Sequence, residues 1–114
     1  MAEHQDEKLR QMIRELAASF VQLESNGASI ITITNVLVAD RGKRAKILFT
    51  VLPVEKQDVV EEFLKRKRKD FQEFVRAKSR IMRIPLFDFS IDHGEKNRQR
   101  ADELLATEYK SIQQ

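Results

Sequence analysis

The chain of 114 residues has no cysteine and no tryptophan, and only two prolines, three glycines and two histidines. Without cysteine there is no disulfide scaffold, no zinc finger and no thiol nucleophile. His4 and His93 alone leave little for a histidine-based metal site. Gly27, Gly42 and Gly94 stand apart from one another, so no glycine-rich loop is present to cradle a phosphate. No apolar run approaches the ~20 residues of a membrane span. The polar, acidic stretch from Met1 to Glu7 does not read as a signal peptide, and a cytoplasmic protein is expected.

What is present is charge over a substantial apolar share. Apolar residues make up 41% and charged residues 34%, too apolar for disorder and long enough for one core. A single domain over 1–114 is expected, with 1–4 and 107–114 as frayed tails. The net charge of +3 conceals an asymmetry. Lys65, Arg66, Lys67, Arg68, Lys69, Arg76, Lys78, Arg80 and Arg83 face only Asp70 and Glu73, a net of +7. The remainder, with 12 basic and 16 acidic residues, carries −4. Self-repulsion of this kind costs stability unless a polyanion or another surface function offsets it.

Periodicity gives the elements. Leu9, Met12, Ile13, Leu16, Ala17, Phe20 and Val21 repeat at helical spacing, which predicts a helix from about Gln5 to Glu24. Asp6 and Glu7 suit its first turn, and Ser25-Asn26-Gly27 ends it. Ile30–Val38 and Ala45–Leu52 are rich in β-branched residues and alternate, with the turn Ala39–Arg44 between them, so a β-hairpin is predicted. Ala45, Ile47, Phe49 and Val51 form its core face. From Glu55 to about Ile84 the helical period returns through Val59, Val60, Phe63, Leu64, Phe71, Phe74 and Val75. Its phase changes at Ala77-Lys78-Ser79, where a break or kink is expected, and the stripe resumes as Ile81-Met82. Pro85 ends the helix, because the residue before a proline avoids helical geometry. Leu86–Asp92 alternates, with Phe87, Phe89 and Ile91 inward. After the turn His93-Gly94, a final helix is expected over Glu95–Tyr109. The order α-β-β-α-(kink)-α-β-α describes an α+β protein, an α/β sandwich of three strands with helices packed on one face.

Catalysis finds little support. Asp88 and Asp92 share a strand face and could hold magnesium or exchange protons, but they read as a solvated outer face opposite the phenylalanines. Ser79 and Ser90, with His93 and Asp92, lack a nucleophile elbow. No catalytic residue, cofactor or metal is assigned, and no small-molecule substrate is expected. The nine cations are the strongest chemical signal. Two acids cannot neutralise them by pairing along a helix. They point to phosphate contacts that are strongly salt-dependent and mostly blind to sequence. An acidic membrane surface fits less well, since the interleaved phenylalanines belong to the core stripe.

Three segments carry a family resemblance: Ile31–Asp40 followed by Ala45-Lys46-Ile47, Arg83-Ile84-Pro85-Leu86-Phe87-Asp88-Phe89-Ser90-Ile91-Asp92, and the helix Leu9–Leu23. The order of elements is similar to that of the type-II KH fold. The segments more narrowly resemble the ribosome-binding factor A family. The resemblance implies a KH-like domain that binds the small ribosomal subunit and assists late maturation of its RNA. It also implies an interhelical kink of the form alanine–x–glycine, whose place Ala77-Lys78-Ser79 takes. A monomer is expected. The alternative class is a protein–protein adaptor using the acidic first helix (Glu3, Asp6, Glu7, Glu15) and the charged last one.

Overall fold

The structure, a computed structural model, describes residues 2–25 and 27–94. The expected last helix, Glu95–Tyr109, and the expected tail 107–114 lie outside the described residues. Six elements follow one another: α1 (Ala2–Glu24), β1 (Ile30–Ala39), β2 (Arg44–Leu52), α2 (Gln57–Arg66), α3 (Arg68–Lys78) and β3 (Leu86–Ile91). Short 3-10 turns at Asp40–Gly42 and Val54–Lys56 complete the connections. Three helices thus pack on a three-stranded mixed sheet, the α+β architecture the sequence predicts.

In α1, Ile13, Ala17, Phe20 and Val21 are buried, with Leu9 and Leu16 packed beside them. These positions make one helical stripe, and burying each large apolar side chain contributes about 1.5–3 kcal/mol. The sheet order is β1-β2-β3, with β1 antiparallel and β3 parallel to β2. Ile47, Phe49, Val51, Phe87 and Phe89 all point into the core. Ile33 pairs with Phe49 but Asn35 pairs with Leu48, so Thr34 is an extra residue that bulges the strand. Before the bulge Ile31 and Ile33 face the helices. After it Val36 and Val38 do. The bulge reconciles the two halves of β1 with one core.

Phe71 sits at the centre of that core. Its ring centroid lies 4.6 Å from Phe87, 5.1 Å from Phe20 and 5.5 Å from Phe89. These tilted geometries add to simple burial. They also fix how α3 lies over the sheet, and so where its outer face points.

The edge strand β3 would expose unpaired backbone donors, but two carboxylates meet them. The Phe89 N–H donates to Asp88 Oδ1 at 2.9 Å, and the Ile91 N–H donates to Glu61 Oε2 of α2, also at 2.9 Å. Thr34 Oγ1 donates to Asp92 Oδ2, and the Gly94 N–H donates to Asp92 Oδ1 at 2.9 Å. Both aspartates considered for chemistry therefore serve the backbone and neighbouring side chains.

Two details differ from the sequence reading. Val59 is 64% exposed, on the outer side of α2, whereas Val60 and Leu64 face the core. Among the described residues no helix follows Ser79. Residues 80–85 form an irregular connection, in which Ile81 and Ile84 pack on the core while Met82 is 97% exposed. Pro85 is buried at the start of β3.

Candidate nucleic-acid interface

The basic run does not continue one helix. Lys65 and Arg66 end α2, Lys67 forms the junction with φ −93° and ψ 10°, and Arg68 and Lys69 begin α3. The Lys67 N–H donates to the Leu64 carbonyl at 3.0 Å, a bond that tightens the last turn of α2. Arg68 Nε donates to the Lys65 carbonyl at 2.8 Å and satisfies another terminal acceptor. The Phe71 N–H then donates to the Lys67 carbonyl at 2.9 Å, restarting the helical ladder.

The junction between two consecutive helices therefore lies at Lys67, inside the basic run, whereas at Ala77-Lys78-Ser79 the helical stretch breaks but no kink joins it to a further described helix. At those three residues α3 simply ends. Ser79 is extended, with φ −136° and ψ 172°. Its N–H and its Oγ both donate to the Val75 carbonyl, at 3.0 and 2.7 Å. A glycine-like left-handed conformation is not required there, so serine serves as a helix stop without strain.

The nine expected contact residues divide into two groups. Lys65 Nζ lies 3.0 Å from Asp88 Oδ1, and Arg68 lies 3.8 Å from the same oxygen. Lys67 bridges Glu24 at 3.7 Å and Asp70 at 3.5 Å, and its ammonium stands over the Phe63 ring. Arg76 pairs with Glu73. The other five, Arg66, Lys69, Lys78, Arg80 and Arg83, are exposed and make no ion pair among the described residues. Lys78 lies over the Phe74 ring, 5.9 Å from its centroid.

Lys69 and Arg76 are seven residues apart in α3, which puts them about 20° apart around the helix axis, opposite buried Phe71 and Val75. Arg80 and Arg83 lie in the connection that follows. Helix dipoles sharpen the local field. Lys65 and Arg66 complement the negative end of α2, but Arg68 and Lys69 reinforce the positive end of α3. Only Asp70 in that first turn opposes them. Helix termini with this charge pattern favour anions, and phosphates above all.

Sequence reasoning passed over a second set of cations: Arg41, Lys43, Arg44 and Lys46, around the hairpin turn. Four basic residues within six were visible in the sequence, but nothing there placed them near the rest. The structure does so. The Leu86 N–H donates to the Lys43 carbonyl at 2.9 Å, Arg44 pairs with Leu86, and Lys46 pairs with Asp88. An open groove of about 560 Å³ runs over this part of the sheet and includes Arg44, Lys46 and Arg68 in its lining. Among the described residues, no histidine, aspartate and glutamate cluster could hold a metal ion. His93 is exposed in the turn after β3. No helix among them is long and apolar enough to cross a membrane.

Solved structures with the same fold include the crystal structure of ribosome-binding factor A from Thermus thermophilus. It is 14% identical, with a TM-score of 0.66 over 74% of this chain and 91% of that one. A second is the solution NMR structure of a Thermotoga maritima protein described as a putative ribosome binding factor A. It is 20% identical, with a TM-score of 0.64 over 77% and 87% of the two chains. At these identities the likeness concerns the fold. A comparison with curated proteins finds no match. The family model described as ribosome-binding factor A matches residues 3–105, nearly the whole chain, and the chain therefore belongs to the ribosome-binding factor A family.

Proposed function

We propose that this chain binds the RNA of the small ribosomal subunit and assists late maturation of that RNA, acting as a cytoplasmic monomer. The family is one of ribosome-binding factors and not of enzymes. The observation that carries the reading is the set of exposed cations without ion pairs, Arg66, Lys69, Lys78, Arg80 and Arg83, gathered on α2, α3 and the connection to β3. Their charge has no partner within the described fold, and RNA phosphates supply one. Phosphate contacts carry affinity and orientation, so this surface would read the shape of a folded RNA more than its sequence.

The direct test is a filter-binding series with small-subunit RNA at rising salt, joined to co-sedimentation with free small subunits. Three to four phosphate contacts give a slope of log K against log salt of about −2 to −3 with the single-strand coefficient of roughly 0.7 per contact. The Lys69→Ala, Arg80→Ala double variant is expected to flatten it by about 0.7–1.4. A salt-independent affinity, or sedimentation away from small subunits, would instead favour the adaptor reading, in which an apolar surface docks.

A further inference from the structure

We propose that the hairpin turn Asp40–Arg44, with Lys46 and Arg68 beside it, forms a second RNA-contact surface that holds the phosphodiester backbone of a single-stranded segment. This rests on the RNA-binding reading above but uses a different part of the fold. The parallel pairing of β3 with β2 brings three separate pieces of chain together: the turn, the start of β3 and the first residue of α3. Two open grooves share Arg44 and Leu86 in their linings. One, of about 520 Å³, lies over Asp40, Arg41 and Lys43; the other continues past Lys46 to Arg68 and Asp88. Five cations thus line a continuous track that holds two carboxylates.

Both carboxylates are already engaged, Asp40 with Arg44 at 3.4 Å and Asp88 with Lys65 and Arg68. Arg41, Lys43 and Lys46 make no ion pair among the described residues.

The backbone supplies an independent observation. Asp40, Arg41 and Gly42 are successive residues with positive φ, at 53°, 56° and 86°. Glycine or asparagine suits such a position, whereas arginine is strained in it. A turn needed only for its shape has no reason to place arginine there, and strain of this kind collects where a side chain has a use. The turn holds the Arg41 and Lys43 backbone in a fixed, narrow bend. Between the cations, Leu86 is 64% exposed and Leu37 38% exposed. A cationic groove that tracks a backbone suits a nucleotide strand, with phosphates at the rim and the ribose or base in apolar contact with the leucines.

The test uses the full chain and a 20-nucleotide single-stranded RNA, with polyglutamate of matching charge as competitor. The Arg41→Ala, Lys43→Ala variant is expected to weaken binding about 10- to 30-fold at 0.1 M salt and flatten the salt slope by about 1.4. Leu86→Ser is expected to weaken binding several-fold with the slope unchanged. Arg41→Gly keeps the shape of the turn and is expected to give about a 5-fold loss, separating the side chain's role from that of the backbone. Wild-type affinity and slope in the turn variants, with a loss in Lys69→Ala, Arg80→Ala, would overturn this proposal and leave the function above standing. No effect in either set would remove both. Displacement of the RNA by polyglutamate at equal charge concentration would assign the track to an acidic protein and overturn the proposal.

Discussion

Asp88 holds two cations of the basic run, so removing its charge should improve RNA binding while weakening the fold. Lys65 and Arg68 approach the same carboxylate oxygen, at 3.0 and 3.8 Å, with the Lys65 and Asp88 side chains each 38% exposed. Pairs this exposed contribute about 0.2–1 kcal/mol. In Asp88→Asn the amide oxygen still accepts the Phe89 N–H, so the edge-strand contact survives and only the charge is lost. The expected stability loss is thus below about 1 kcal/mol, or at most about 5 °C in Tm for a domain of this size. The two released cations become free to contact phosphate. One or two added contacts would steepen the salt slope by about 0.7–1.4 and raise affinity about 5- to 25-fold at 0.1 M salt. Filter binding across a salt series, with a thermal melt of the same preparation, measures both. An Asn variant that stays folded but binds with unchanged or weaker affinity would show that RNA does not reach Lys65 and Arg68.

Phe71→Ala removes the ring that joins α1, α3 and β3, and is expected to cost about 3–5 kcal/mol in a urea titration; a loss under about 1.5 kcal/mol would contradict the central packing. Arg41→Gly is expected to raise stability by about 0.5–1 kcal/mol, since relief of a left-handed arginine outweighs the added chain entropy. An unchanged or lowered Tm would argue against strain in the turn. Ser79→Ala deletes the hydroxyl that caps the Val75 carbonyl and is expected to cost about 0.5–1.5 kcal/mol, with no change in RNA affinity.

The described helices and strands were legible because their apolar spacing is local. A helix with Ile13, Ala17, Phe20 and Val21 on one side can bury only that side, and a strand with Ile47, Phe49 and Val51 alternating can present only that face. The turn, the hairpin and the concentration of charge between Lys65 and Arg83 likewise need no tertiary information. The break at Lys67 was not legible. The spacing from Leu64 to Phe71 is two helical turns, so the apolar stripe passes over the junction without a change of phase. Only the backbone bonds at Leu64 and Lys67 reveal it. The phase change at Ala77-Lys78-Ser79 was real, but it marked the end of a helix, because extended backbone at Ser79 lets Ile81 and Ile84 reach the core without another helical turn.

The sequence by itself determined the order of elements, which side of each faces inward, and the sign of the charge the surface carries. The tertiary structure alone decided which of those charges are available. Asp88 is distant in sequence from Lys65 and Arg68, yet β3 brings its carboxylate to both. The same strand, running parallel to β2, sets the hairpin cations beside the basic helices. Local periodicity records how a segment meets the core. It does not record which segments become neighbours, because that depends on strand order and on packing around Phe71, and these are properties of the whole chain.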